Sequence, residues 1–194
     1  MEAARRLFAT RGYAATTLPA IAREAGVSAP TVTAVFGTKA ALLEALINLG
    51  VRGDAAPAPL VERPWWREML EEADPRRQLR LHAANVRRIQ EGSADIAEIV
   101  RGAATADPEI AAVLKQRHRQ RFEDTQLVAQ SLGRKRALAP GVTVAKAGDL
   151  VWALSGAEVY RMLVVERGWS PDEYEEWLAA ALADSLLPHP EPAR

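Results

Sequence analysis

The chain has 194 residues, 48% of them hydrophobic and 26% charged, a balance that favours folded domains over disorder. It contains no cysteine, which excludes a disulfide framework, a thiol nucleophile and any cysteine-ligated zinc or iron–sulfur site. Formal net charge is zero, but residues 1–49 carry Arg5, Arg6, Arg11, Arg23 and Lys39 against Glu2, Glu24 and Glu44, a net +2 that the remainder offsets.

Nearly every stretch reads as helix, because Ala, Leu, Arg and Glu dominate and no segment sustains a period of two. The spacing predicts a first helix over 2–11, with Ala4, Leu7 and Phe8 on one side and Gly12 as its stop. Thr17 caps a second over 18–25, whose buried face is Leu18, Ile21, Ala22 and Ala25. Gly26 ends it. Ser28 caps a third over 29–36, with Val32 and Phe36 turned inward at i,i+4, and Gly37 ends that. Thr38 caps a fourth over 39–49. The run Gly53-Asp54-Ala55-Ala56-Pro57-Ala58-Pro59, followed by Pro64, cannot continue a helix and separates residues 1–49 from 50–194.

Beyond that run the helix starts remain readable. Pro64 opens a short helix carrying Trp65, Trp66 and Met69. Asp74-Pro75 places a cap before a proline at the first helical position and opens a helix to about residue 91. Ser93 caps another. Asp107-Pro108-Glu109 repeats the signal for a long helix to about residue 132. Residues 133–141 form a basic loop bounded by glycine and proline, and Thr143 caps a helix to about residue 167. Ser170-Pro171-Asp172-Glu173 is a capping box with proline in first position and opens a helix to about residue 187. The expected fold class is all-α.

Two short helices separated by Gly26-Val27-Ser28 have the dimensions of a helix-turn-helix. Glycine permits the sharp turn, and Val27 fits the angle between the helices as a plug. The exposed side of the second helix offers Ala29, Pro30, Thr31, Thr33 and Ala34, small residues that let a groove wall approach closely. The same spacing also fits an αα-corner that touches no nucleic acid.

The segments Leu7-Phe8-Ala9-Thr10-Arg11-Gly12-Tyr13-Ala14-Ala15-Thr16-Thr17, Ile21-Ala22-Arg23-Glu24-Ala25-Gly26-Val27-Ser28 and Phe36-Gly37-Thr38-Lys39-Ala40-Ala41-Leu42-Leu43 fall in one register. Together they resemble the amino-terminal DNA-binding domain of the tetracycline-repressor family, over residues 4–46. The resemblance implies a transcriptional regulator, a repressor, that binds a palindromic double-stranded DNA operator as a homodimer. It implies that the second part of the chain is a helical domain for dimerisation and for a small-molecule effector. Thr17 and Ser28 would hold phosphates at helix N-termini, which the physics of those termini also permits. Lys39 is similar to the family lysine that contacts the DNA backbone, and Gly37-Thr38 lets its helix start close to the phosphates. The chain departs from the family pattern at Thr33, where an aromatic is common, and at Pro19, where a polar or basic residue is common. It also begins inside the first helix, without the basic arm that commonly precedes it. No Arg, Asn or Gln lies in 29–36, so that helix has no bidentate reader of G or A. Thymine methyl contacts and DNA shape remain as readouts.

In the second part, Tyr174, Trp177, Leu178, Ala181, Leu182, Ser185 and Leu186 form one wide apolar stripe. The resemblance assigns the last two helices to a four-helix dimer interface, drawing on Leu154, Arg161, Tyr174, Trp177, Leu178, Ala181, Leu182 and Leu186. The competing reading of the stripe is intramolecular core. Candidate walls of an effector site are Trp66, Met69, His82, Val86, Ile89, Leu114, His118, Phe122 and Trp152; for each, packed core is the favoured reading. Glu158 and Arg161, inside an apolar helix, suit an interhelical ion pair. Arg117, Arg119, Arg121, Arg134, Lys135 and Arg136 read as a solvated basic face and loop. His82, His118 and His189 are too scattered for a metal cluster, so neither metal nor cofactor is expected. An enzyme finds no support: there is no His–carboxylate spacing and no glycine-rich phosphate loop. No apolar run approaches the ~20 residues of a membrane span and no signal peptide opens the chain, which leads to an expected cytoplasmic location and no membrane partner.

Overall fold

The computed structural model describes residues 1–53 and 59–189. Most of the proline-rich run, 54–58, lies outside the described residues. The helices are α1 (Glu2–Arg11), α2 (Leu18–Glu24), α3 (Ala29–Phe36), α4 (Lys39–Arg52), α5 (Pro64–Glu71), α6 (Pro75–Ala104), α7 (Pro108–Arg134), α8 (Val144–Leu154), α9 (Ala157–Tyr160) and α10 (Pro171–Leu186). A 3-10 turn, Leu60–Glu62, precedes α5, and a π-helical segment, Arg161–Glu166, follows α9. No strand occurs among the described residues.

Local chemistry sets most helix starts. The hydroxyl oxygens of Thr17, Ser28, Thr38 and Thr143 accept from the backbone N–H groups of Ala20, Thr31, Ala41 and Lys146 at 3.3, 3.2, 3.0 and 3.2 Å. At α10 the box is complete: Glu173 N–H donates to Ser170 Oγ at 3.1 Å and Ser170 N–H donates to Glu173 Oε2 at 2.7 Å.

The chain divides into two compact units, Met1–Ala56 with Gly92–His118 and Pro57–Glu91 with Arg119–Arg194. In the first, Ala4, Leu7, Phe8, Tyr13, Ile21, Ala40, Leu42, Leu43 and Leu46 are buried together with Ile96, Val100 and Ala103 of α6 and Ile110 of α7. Arg5 holds Asp95 through two bonds of 2.5 and 2.6 Å, and Arg117 donates to Asn48 Oδ1 at 2.5 Å. In the second, Trp66 and Met69 of α5, Leu79 and Ala83 of α6, Val128 and Leu132 of α7, Val151 of α8 and Leu178, Leu182 and Leu186 of α10 are buried. Polar ties close it: Ser131 Oγ donates to Leu70 O at 2.8 Å, Lys135 Nζ to Gln78 Oε1 at 2.6 Å, and Arg87 pairs with Asp172 and Glu175.

Four sequence expectations are corrected here. Ser93 caps no helix, because α6 runs unbroken from Pro75 to Ala104. Gly92 serves a close crossing instead: a Cβ on it would lie 2.7 Å from the carbonyl oxygen of Gly50, and one on Gly50 2.9 Å from that of Gly92. The helix expected over 143–167 breaks at Ser155-Gly156, where Gly156 turns extended (φ −70, ψ 149), and resumes as α9 and the π-segment. Val27 does not plug the helix-turn-helix angle; it is 46% exposed. Arg117 and Arg121 are not a solvated face; both are half-buried and turn inward, Arg121 Nη1 to Trp152 O at 2.6 Å.

Candidate functional site

The first unit presents α2 and α3 across a tight turn. Gly26 adopts φ 68, which only glycine enters without strain, and Val27 N–H returns to Ala22 O at 3.0 Å. Ile21, Ala22 and Val32 face the core, and Phe36 packs half-buried against it. That fixes the orientation of the remaining positions. Thr17, Ser28, Pro30, Thr31, Thr33 and Ala34 are exposed, and Ala29 is half-buried. Ser28 Oγ and Thr31 Oγ1 stand 2.7 Å apart, so these two hydroxyls share a hydrogen bond at the start of α3. The surface is apolar and shallow, with one projecting residue that sequence reading passed over. Val35 is 67% exposed on α3. A branched apolar side chain so exposed has no packing reason to be there, and that mismatch was the available signal.

Lys39 is half-buried at the start of α4. Its Nζ donates to Tyr13 O at 2.8 Å and to Ala14 O at 3.5 Å, and lies 4.1 Å from the Tyr13 ring centroid. The lysine therefore fastens the turn between α1 and α2. The Tyr13 hydroxyl is pushed up to about 12, mainly by burial and then by Asp107 and Glu109.

The second unit holds most of the proposed effector and dimer residues. Trp66, Met69, His82 and Val86 are buried; Ile89 and Trp152 are half-buried; Phe122 is exposed at its edge. Phe122 meets Trp152 edge-on with centroids 6.2 Å apart. His118 is exposed and belongs with Leu114 to the first unit, and Phe122 belongs to the second. His82 Nε2 lies 2.9 Å from Ser155 Oγ, and burial pushes the imidazole down to about 4. Its Nδ1, the indole nitrogens of Trp66 and Trp152 and the Tyr174 hydroxyl are shielded from water and have no hydrogen-bond partner among the described residues.

On α10 the apolar stripe divides. Tyr174, Leu178, Leu182 and Leu186 are fully buried within one chain, so they are core and no surface remains on them for a second copy. Trp177 and Ala181 are half-buried, as are Leu154 and Arg161. Met162, which sequence reading missed, and Val165 are 44% and 65% exposed on the π-segment. Arg161 pairs with Glu166 of the same segment.

No group of three or more His, Asp or Glu able to hold a metal lies among the described residues. No single described helix is long and apolar enough to cross a membrane.

Residues 1–46 match the family model described as bacterial regulatory proteins, tetR family. The chain also superposes on solved structures. NalD of Pseudomonas aeruginosa, the secondary repressor of the MexAB-OprM multidrug efflux pump, is 25% identical, with 96% of this chain and 93% of that one covered and a TM-score of 0.72. PfmR of Thermus thermophilus, a TetR family transcriptional regulator, is 24% identical over 95% and 92%, with a TM-score of 0.63. A regulator from Saccharomonospora viridis in complex with choline is 21% identical over 97% and 95%, with a TM-score of 0.66. The last two likenesses concern the fold. None of the curated proteins compared matches this chain.

Proposed function

We propose, from the premise that this chain is a transcriptional regulator of the tetR family with that family's DNA-binding domain at residues 1–46, that it is a repressor acting as a homodimer on a palindromic operator. The observation that carries the reading is the exposed face of α3, with small residues and a capped N-terminus on a helix anchored by Ile21, Ala22 and Val32. A helix of that kind enters a major groove without steric conflict. Thr17 and Ser28 offer hydroxyls and backbone N–H groups to phosphates. Ala29, Pro30, Thr31, Thr33, Ala34 and Val35 face the bases, and Lys39 adds a charge beside the backbone. A repressor among the similar structures supports the sign of regulation.

Residues 1–49 form the DNA-binding domain, and 50–194 the effector-binding and dimerisation domain. The dimer face consists of Trp177, Ala181, Leu154 and Arg161 with the exposed Met162 and Val165. A small molecule held near His82, Phe122 and Trp152 favours a spacing of the two α3 helices that no longer fits the operator. The protein is a cytoplasmic regulator and not an enzyme, and it needs no cofactor. Selection from random-sequence DNA tests the reading. It should recover an inverted repeat whose half-sites are about one helical turn apart, or a multiple of that. Recovery of no sequence, or of one without two-fold symmetry, would overturn it.

A further inference from the structure

The break between α8 and α9 gathers groups whose hydrogen bonding is incomplete. Ser155, at the break, is spent on His82 Nε2 at 2.9 Å, which leaves His82 Nδ1 buried without a partner. One turn earlier, Trp152 gives its carbonyl to Arg121 at 2.6 Å, while its indole N–H is shielded from water and unpartnered. The Arg121 guanidinium lies 4.8 Å from the Trp152 ring centroid, and Phe122 meets that ring edge-on at 6.2 Å. A Cβ at Gly156 would lie 2.9 Å from Glu158 Oε2, 3.3 Å from Ala153 O and 3.8 Å from Arg121 Nη2, so the glycine leaves room for the Glu158 carboxylate near the cation. The Tyr174 hydroxyl, fully buried and unpartnered, feels the Arg121 charge. Tyr160 covers its ring at 4.9 Å.

Most of this set donates; the exposed Glu158 carboxylate, which acts on the Arg121 charge, is the exception. Trp152 Nε1–H can only donate, and the Arg121 guanidinium carries donors and no acceptor. Tyr174 can donate. His82 donates from Nδ1 when Nε2 accepts from the Ser155 hydroxyl. A cationic ligand would meet Arg121 already placed on the aromatic ring that would otherwise receive it. An anion would meet a partly desolvated cation, whose guanidinium matches a carboxylate in shape. Flat aromatic surface at Trp152 and Phe122 accepts a ring.

We propose that the effector bound at the α8–α9 break is an aromatic carboxylate, its acid group on Arg121 and Tyr174 and its ring against Trp152 and Phe122. This rests on the reading of the second domain as an effector domain. Three probes of similar size and different charge test it: 2-naphthoate, 2-naphthalenemethanol and 2-naphthylmethylammonium, titrated by quenching of tryptophan fluorescence and by shift of the melting temperature. Naphthoate should bind at least tenfold more tightly than the alcohol, and the ammonium ion should not bind. Arg121→Gln should lower naphthoate affinity at least tenfold. Tyr174→Phe guards against loss of folding. It deletes a hydroxyl that has no partner in the free chain, so the melting temperature should hold or rise while naphthoate affinity falls severalfold. Equal or tighter binding of the ammonium ion, no binding of any probe, or unchanged affinity in Tyr174→Phe would each overturn the assignment. Operator binding by the ligand-free protein is measured alongside; its absence would sink the regulator reading and leave the ligand result standing.

Discussion

Two side chains show how a single residue can be given a role by its surroundings. His82 is buried, neutral and tied to Ser155 through Nε2. Its protonation sits near 4 in the folded chain against an ordinary value of 6.5. Above 6.5 the imidazole is neutral in both states and costs nothing. As pH falls from 6.5 towards 4 the unfolded chain takes up a proton that the folded chain refuses, and stability is lost by up to about 3 kcal/mol. Urea unfolding at pH 7 and pH 4.5 should therefore show a smaller loss in His82→Gln than in the parent; an identical loss would refute the assignment. Lys39 is the second case. The family resemblance assigns it to the DNA backbone, and its ammonium group has three donors. In the structure the short bond to Tyr13 O and the stacking on Tyr13 give it a task inside the fold. Lys39→Met should lower stability by about 1–2 kcal/mol. It should also weaken operator and random DNA by a similar factor, because a phosphate contact carries no sequence information. A loss confined to operator DNA, with unchanged melting temperature, would contradict both roles.

Helices are the scale at which the sequence could be read best, and the places where it could not are instructive. Every start marked by a hydroxyl cap or by proline in first position was readable, because cap and proline chemistry involve residues within one turn. The second half of the chain offered two Ser/Gly pairs, Gly92-Ser93 and Ser155-Gly156, with opposite outcomes. The first lies inside unbroken α6, because Gly92 lets two backbones touch at Gly50. The second breaks a helix, with Ser155 engaged by His82. Both outcomes depend on residues more than forty positions away in the chain, which no local signal reports. The α10 stripe failed for a related reason. Periodicity finds an apolar face but does not say whether its own chain or a second copy covers it. Tyr174, Leu178, Leu182 and Leu186 are covered within one chain, whereas Met162 and Val165 on the π-segment are not. Val165→Asp should accordingly give a folded monomer by light scattering with an unchanged helical spectrum. Leu178→Asp should fail to fold. A dimer that survives Val165→Asp would move the interface elsewhere.

At the scale of the molecule, residues 1–46 were largely legible and the second unit was not. Glycines, caps and the apolar set of residues 1–46 serve a surface whose geometry is dictated by one ligand, the DNA groove, so its pattern recurs and is recognised. In the second unit, the contacts of Arg121 with Trp152 and of His82 with Ser155 form through packing between helices distant in sequence. On the proposed reading, the surface that meets DNA is also a weak discriminator. Without Arg, Asn or Gln on α3, discrimination falls to Thr31, Thr33, Val35, the methyls of Ala29 and Ala34, and DNA shape, each worth less than the ~1–3 kcal/mol of a bidentate pair. The most direct test of the central claim is an anisotropy titration of the operator recovered by selection, comparing the parent with Ala34→Glu, a carboxylate placed on the exposed face of α3 and away from the core. The account predicts stoichiometric binding of two chains per operator by the parent and a loss of affinity of at least tenfold in Ala34→Glu at unchanged melting temperature, whereas undiminished binding by Ala34→Glu would show that α3 is not the element that enters the groove.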